Sequence, residues 1–273
     1  MCRVLEVSRA GYYAWRARPL CERVKADWVL REQIRRIQQQ VKQRYGTPRV
    51  RMELRALGFR CGKARVSRLM REAGVPAQRR AAFRVTTQSA PGRPVAANVL
   101  ARQFTVGTAT GRPRAWAVDI TYLPTREGWL YLAVILDVAS RRIVGWALRP
   151  RLTDELTLSA LTMALQLQPA AGTLHHSDRG AQYTSYAYQR RLIEAGLISS
   201  MSRVGDCWDN AVVESFFATL TKELLHDDVF PTRAAATREI FEFIEIWYNR
   251  RRRHSTLGYR SPTEFELDLQ RAS

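Results

Sequence analysis

Between residues 115 and 149 three runs rich in β-branched and aromatic residues, "AWAVDITYL", "WLYLAVILDV" and "RIVGWALR", follow one another across short turns. Runs of this composition, so closely joined, predict an antiparallel meander of three strands. A helix from Thr153 to about Leu167 comes next, then a short strand at "TLHH", a helix from about Thr184 to Ala195 and a strand at "LISSMS". The helix "NAVVESFFATLTKELL" spans 210–225. Three strands followed by alternating helix and strand describe an α/β domain, residues 114–230, on a mixed sheet of about five strands with flanking helices. The helix "RAAATREIFEFIEIWYNRRRRH" and a basic tail, "STLGYRSPTEFE", close the chain within 231–273.

The front of the chain has a different character. Residues 1–100 carry 23 Lys and Arg against 6 Asp and Glu, whereas residues 101–273 carry 21 against 19. A basic front joined to a near-neutral back points to a polyanion-binding region attached to a domain with another task. After a helical leader at 1–28, residues 29–45 predict an amphipathic helix with Val29, Ile34, Ile37 and Val41 inward. A helix opening at Thr47-Pro48 stops at Gly58, and a second short helix covers 62–74. In the second, Val66, Leu69 and Met70 face inward, while Lys63, Arg65, Arg68 and Arg71 mostly face outward. Two short helices across a Gly-containing turn, the second basic, fit an all-α helix-turn-helix DNA-binding region over 29–78. An ordinary helical hairpin with a charged surface fits the same pattern. Residues 79–113, rich in Arg, Pro, Thr, Ala and Gly and without periodicity, read as a basic linker.

Several classes are set aside by what the chain lacks. Cysteines at 2, 21, 61 and 207 have neither CxxC nor zinc spacing, as expected of reduced thiols in a cytosolic protein. The longest apolar run, "WLYLAVILDVA", is interrupted by Asp137 and is too short to span a bilayer, so no membrane is expected. The N-terminus lacks the apolar core of a signal peptide. There is no G-x-x-x-x-G-K-[ST] loop, so no nucleotide cofactor is expected.

Three carboxylates stand out by position. Asp119 sits in mid-strand among Ala115, Trp116, Ala117, Val118 and Ile120, the pattern of a central strand covered on both faces. A carboxylate there must be paired, protonated, bonded to nearby backbone or bound to a metal. Asp178 follows the fourth strand in "HSDRGAQYTS", where it can form the turn or point over the sheet edge. Glu214 lies at the rim of a helical stripe of Val213, Phe216, Phe217, Leu220 and Leu224. Acidic oxygens from a central strand, a strand end and a nearby helix suit hard ions such as Mg²⁺ or Mn²⁺. A pair of such ions catalyses phosphodiester exchange, and the basic front makes DNA the natural substrate.

The spacing of these acids, 58 residues between Asp119 and Asp178 and 35 between Asp178 and Glu214, resembles the D,D(35)E signature of retroviral integrases and related transposases. More specifically, "WAVDITYLPTREGWLYLAVILDVASRRIVGWAL", "HSDRGAQYTS", "DCWDNAVVESFFATL" and "YNRRRRHSTLGYRSPTEFE" look like the second-frame (OrfB) transposase of the IS-three family of bacterial insertion sequences. The stretches "CRVLEVSRAGYYAWRARP" and "YGTPRVRMELRALGFRCGKARVSRLMREAGV" extend the resemblance over nearly the whole chain.

The resemblance implies an RNase H-like catalytic core in which Asp119, Asp178 and Glu214 are catalytic and hold two Mg²⁺ or Mn²⁺ ions. It implies DNA cleavage and strand transfer on double-stranded DNA, both element ends and target, with self-association on that DNA. A nucleoid-associated place in the bacterial cytoplasm follows. A basic residue that touches DNA often stands seven positions after the family's glutamate; here that position is Thr221, and Lys222 comes one later, so the resemblance makes these two the candidate DNA contacts, with a solvated Lys222 as the alternative. Ideal helical spacing leaves Thr221 beside Glu214 and Lys222 opposite the buried stripe. Trp247, Tyr248, Arg250, Arg251, Arg252, Arg253 and His254 suggest a grip on the DNA backbone by stacking and charge; a helix end whose Arg residues favour the C-terminal dipole fits the same stretch. His175 and His176, ending a buried strand, are expected to be structural, and Cys207 and Trp208 to pack. Ala181 stands where the family usually has Ser. In the family the active enzyme is usually a frameshift fusion with an upstream helix-turn-helix and leucine zipper, and "MCRVLEV" begins without them. The alternatives are an RNase H-type nuclease without strand transfer and an inactive DNA-binding remnant of a mobile element.

Overall fold

A computed structural model describes residues 2, 4, 6–75, 96–100, 114–202, 211–225 and 229–272, and the chain divides into two units, Met1–Arg79 and Arg80–Ser273. Most of the 79–113 linker, together with Cys207 and Trp208, lies outside the described residues.

The first unit is helical, with α1 (Arg9–Ala17), α2 (Glu22–Gln40), α3 (Thr47–Ala56) and α4 (Lys63–Glu72). Ser8 caps α1 by accepting a hydrogen bond from the Gly11 N–H (2.9 Å). Helix α2 starts at Glu22, so the expected boundary between a leader and residue 29 falls inside a continuous helix. Its inward stripe runs Leu30, Ile34, Ile37, Val41, whereas Val29, expected inward, is exposed. Leu30 holds the i, i+4, i+7 spacing and Val29 is one residue out of phase with it. Val50 and Leu54 of α3 and Val66, Leu69 and Met70 of α4 complete this small core. Between α3 and α4 the chain turns through Gly58 at φ +88°, a conformation that L side chains rarely adopt.

In the second unit the meander forms as its composition predicts: β1 (Ala115–Thr125), β2 (Gly128–Asp137) and β3 (Ile143–Arg149). After α5 (Asp154–Leu167) come β4 (Leu174–Ser177), α6 (Tyr186–Glu194), β5 (Ile198–Met201) and α7 (Ala211–Leu220). The sheet order is β3-β2-β1-β4-β5, with β1–β2 and β2–β3 antiparallel and β1–β4 and β4–β5 parallel. This mixed five-stranded sheet with flanking helices is the RNase H-like arrangement. Its central strand is β1, paired on both sides, which explains the apolar residues on both parities around Asp119.

Trp116, Val118, Ala133 and Ile135 of one sheet face pack with Leu156, Ala160, Leu161 and Ala164 of α5. The helix comes close to the sheet at Gly145 on β3, where a Cβ would run into the Ala160 carbonyl oxygen and lie 2.9 Å from the Ala164 Cβ. Gly145→Ala is therefore expected to cost about 1–3 kcal/mol by overpacking, measured by denaturant unfolding. A neutral result would mean that α5 is free to move away from the sheet.

The C-terminal segment is more ordered than a basic tail. Helix α8 (Arg233–Phe241) widens into a π-helical segment at Glu242–Tyr248, and α9 covers Pro262–Ala272. Ser261 and Glu264 cap α9 reciprocally, the Ser261 N–H donating to Glu264 Oε2 (2.8 Å) and the Glu264 N–H to Ser261 Oγ (3.3 Å). Ser-Pro-x-Glu is a helix-start signal readable in the sequence, with Pro at the first helical position. Glu266 of α9 then accepts from Arg142 (2.6 Å), Ser140 (3.0 Å) and Gln168 (3.1 Å), which ties the helix to the β2–β3 turn.

Candidate active site

Asp119 occupies the middle of β1 opposite Val134 and is half-buried, with Oδ1 accepting from the Ile120 N–H (2.7 Å). Asp178 directly follows β4, and its Oδ1 accepts from the Gly180 N–H (2.8 Å) in a tight polar turn. Glu214 lies in the first turn of α7, half-buried at the edge of a face formed by Val212, Val213, Phe216 and Leu220. Helix α7 packs against β1, so all three elements border the same part of the sheet.

Burial pushes the Asp119 carboxyl up to about 8, and the charges of Asp178 and Glu214 push in the same direction; only the Ile120 N–H opposes them. Burial also raises Asp178, against the Gly180 N–H, and raises Glu214. The topology thus brings three acids from three distant stretches into one electrostatic neighbourhood. Among the described residues, no group of three or more His, Cys, Asp and Glu stands ready-made to hold a metal ion.

Both histidines of β4 are bonded within the core. His175 Nε2 meets the Tyr188 hydroxyl (2.9 Å), while His176 meets Ser200 Oγ through Nδ1 (2.9 Å) and Ser202 Oγ through Nε2 (3.1 Å). Burial holds His175 down at about 3, so its ring is neutral at physiological pH.

The basic residues expected to touch DNA fall into separate groups. Lys63 and Arg71 are exposed on α4. Arg65 and Arg68 are half-exposed, and both guanidiniums hold Asp27, each with a 2.6 Å bond; Arg68 also reaches Glu72 (2.6 Å). These bonds, Arg68's foremost, hold the Asp27 carboxyl below its usual value against the opposing effect of burial. Part of the charge expected to face outward therefore joins α4 to α2.

Thr221 is exposed and Lys222 half-buried, both in a π-helical segment, Thr221–Leu225, that continues α7. Ideal α spacing from Glu214 thus runs only as far as Leu220, and the pitch changes from Thr221 onward. The buried residue of this segment is Glu223, with Leu224 only partly buried.

Glu223 accounts for the largest correction. Arg252, expected to grip DNA, is 5% exposed. It donates to Glu223 through Nε (3.0 Å) and Nη2 (2.9 Å), and Trp247 Nε1 donates to the same carboxylate (3.0 Å). Tyr248 is also buried, its ring edge-on to Phe216 of α7 (4.8 Å) and to His254 (4.9 Å). Arg253 is half-buried and donates to the Tyr259 carbonyl (3.0 Å), whereas Arg250 and Arg251 are exposed. The aromatic and arginine-rich stretch thus contains an internal brace against α7, with only part of its charge at the surface.

Residues 109–207 and 195–262 each match an integrase core domain family, and residues 26–83 match an HTH-like domain family. Over 266 residues the chain is 44% identical to the insertion element IS600 uncharacterized 31 kDa protein of Shigella sonnei, covering 97% of each chain. It is 42% identical over 275 residues to the transposase InsF for insertion sequence IS3A of Escherichia coli (strain K12), covering 97% of this chain and 92% of that one. It is also similar to the solved catalytic core domain of BIV integrase, with 17% identity and a TM-score of 0.44 over 58% of this chain and 96% of that one.

Proposed function

The chain belongs to the IS3 family of insertion-sequence transposases, of the OrfB type with a retroviral-integrase-like core, and we propose that it cleaves and joins DNA strands at a metal-dependent site formed by Asp119, Asp178 and Glu214. The observation that carries this reading is the setting of Asp119, whose carboxyl burial pushes up to about 8 with the charges of Asp178 and Glu214 adding to the rise. A carboxyl pushed up in this way stays protonated until a cation offsets the cost of its charge. The oxygens of the three acids are hard donors and fit Mg²⁺ or Mn²⁺.

When bound, a pair of such ions supplies Lewis-acid charge for the attacking and leaving oxygens of an in-line displacement at phosphorus. The chain's own part is to hold and orient. The Ile120 and Gly180 N–H groups each anchor one carboxylate oxygen, and Asp119 would release its proton if it held a cation. The helical first unit engages double-stranded DNA, with exposed Lys63 and Arg71 on α4. Water then attacks the phosphodiester at one element end, one P–O bond forming as another breaks, and frees a 3′-OH. That hydroxyl attacks the opposite end on the same strand, and the circularised element is later inserted into target DNA. One P–O bond is exchanged for another at each joining step, so no nucleotide is consumed.

Incubating the protein with DNA carrying the native element's ends and Mg²⁺ tests the reading, with the chain used alone and fused to its upstream reading frame. Joined products are expected, and cleavage that never proceeds to joining would assign a nuclease instead. The acid site adds a pH signature. Because Asp119 must lose a proton to bind a cation, Mn²⁺ affinity is expected to rise about tenfold per pH unit up to the region of pH 8 and then level off. Calorimetric titration across that range reads the slope, and a flat profile would remove Asp119 from the metal site.

A further inference from the structure

Tyr183 shares the turn that carries Asp178. Its N–H donates to the Gly180 carbonyl (3.1 Å), and the Gly180 N–H in turn donates to Asp178 Oδ1 (2.8 Å). The ring is 3% exposed and sits edge-on to Tyr188, with centroids 5.5 Å apart. The two phenols differ in one respect. The Tyr188 hydroxyl is engaged with His175, whereas the buried Tyr183 hydroxyl has no hydrogen-bond partner among the described residues. A buried hydroxyl left unpaired destabilises a fold, so native proteins keep few of them, and functional sites are one place where they persist. Burial first, and then Asp119, Tyr188 and Asp178 in that order, raise this phenol well above its usual range, so it remains a proton donor.

We infer that Tyr183 is a positioning residue of the acid site, its hydroxyl donating a hydrogen bond to the Asp119–Asp178 pair when both carboxylates are ionised around a divalent cation. The inference rests on the reading of these acids as metal ligands. The ring is too deeply buried to touch a DNA strand, so it acts through the carboxylates. Donation to a ligand oxygen orients that ligand, as outer partners do in metal sites generally.

Tyr183→Phe keeps the ring and removes only the hydroxyl. In the full chain without DNA, Mn²⁺ binding measured by calorimetry is expected to weaken about 10- to 100-fold. The melting temperature of the metal-free protein should be unchanged or higher, because no hydrogen bond is lost. DNA joining should need correspondingly more Mn²⁺ and recover when the ion is saturating. Asp178→Asn is titrated in parallel. Wild-type Mn²⁺ binding by Tyr183→Phe beside weakened binding by Asp178→Asn overturns the role of Tyr183 alone. Wild-type binding by both variants overturns the acid site and this inference with it. A marked fall in the metal-free melting temperature of Tyr183→Phe would show that the hydroxyl has a structural partner, and would overturn the inference as well.

Discussion

Glu214→Gln is expected to lower DNA joining in Mg²⁺ on the order of 10³- to 10⁴-fold while leaving duplex binding nearly unchanged. The substitution keeps the length and helix propensity of the side chain in the first turn of α7 and removes only its charge. Loss of joining with retained binding separates the acid site from the basic first unit, which is a distinct compact unit of the chain. Asp119→Asn and Asp178→Asn should each cost a similar amount. Any two combined should cost little more than one, because residues that act as a unit are not additive. Strand-transfer assays beside gel-shift titrations read both quantities. A Glu214→Gln protein that joins DNA as the wild type does would make this glutamate a helix-edge residue and end the three-acid mechanism.

The second large effect lies away from the acids. Arg252→Ala leaves the Glu223 carboxylate buried without its guanidinium, and Glu223→Ala leaves the reverse; the two side chains are 7% and 3% exposed. Each single substitution is expected to destabilise the second unit by about 3–5 kcal/mol, because an uncompensated charge is left in the interior. Replacing both by Met, which fills the volume without charge, should recover much of that loss. Denaturant unfolding of the two single variants and the double variant checks the sign and the coupling. An Arg252→Ala protein of unchanged stability but reduced DNA affinity would return this residue to the DNA-binding surface.

Both predictions concern the same helix. Helix α7 and its π-helical continuation carry Glu214 at one end and Glu223 at the other, with Phe216 between them against Tyr248. The orientation of Glu214 therefore depends on a segment that follows it by some thirty residues, and Arg252 is tied into the same helix by a weaker bond to Thr219 (3.4 Å).

Much of the second unit was legible in the sequence because its signals are local. Strand composition, turn spacing and one-sided helical stripes act over a few residues, and they were enough for the meander and the mixed sheet. The apolar surroundings of Asp119 marked a central strand by the same logic. Local signals failed where two phases compete, as at Val29 and Leu30, and where a cap was passed over, as at Ser261 and Glu264. Periodicity also failed where the helix itself changes pitch, at Thr221–Leu225 and Glu242–Tyr248. Beyond those segments an angle drawn at ideal α spacing no longer says which side a residue faces.

The pairing of charges was not legible at all. Arg252 and Glu223 are 29 residues apart, and Arg65 and Arg68 lie 38 and 41 residues from Asp27. In sequence an arginine that grips DNA and one that closes an internal ion pair look the same, since the difference is where the partner carboxylate lies after folding. The same holds for Tyr183, whose place in "HSDRGAQYTS" gave no sign that its hydroxyl would be buried without a partner and raised by the charges of two acids. By itself the sequence determined the strands, the helices, the family and the three acids worth watching, because each depends on short-range pattern or on motif. Tertiary structure alone decided which charges are consumed inside the protein and which acids feel one another, because electrostatic coupling depends on distance in space and on burial, and neither is written along the chain.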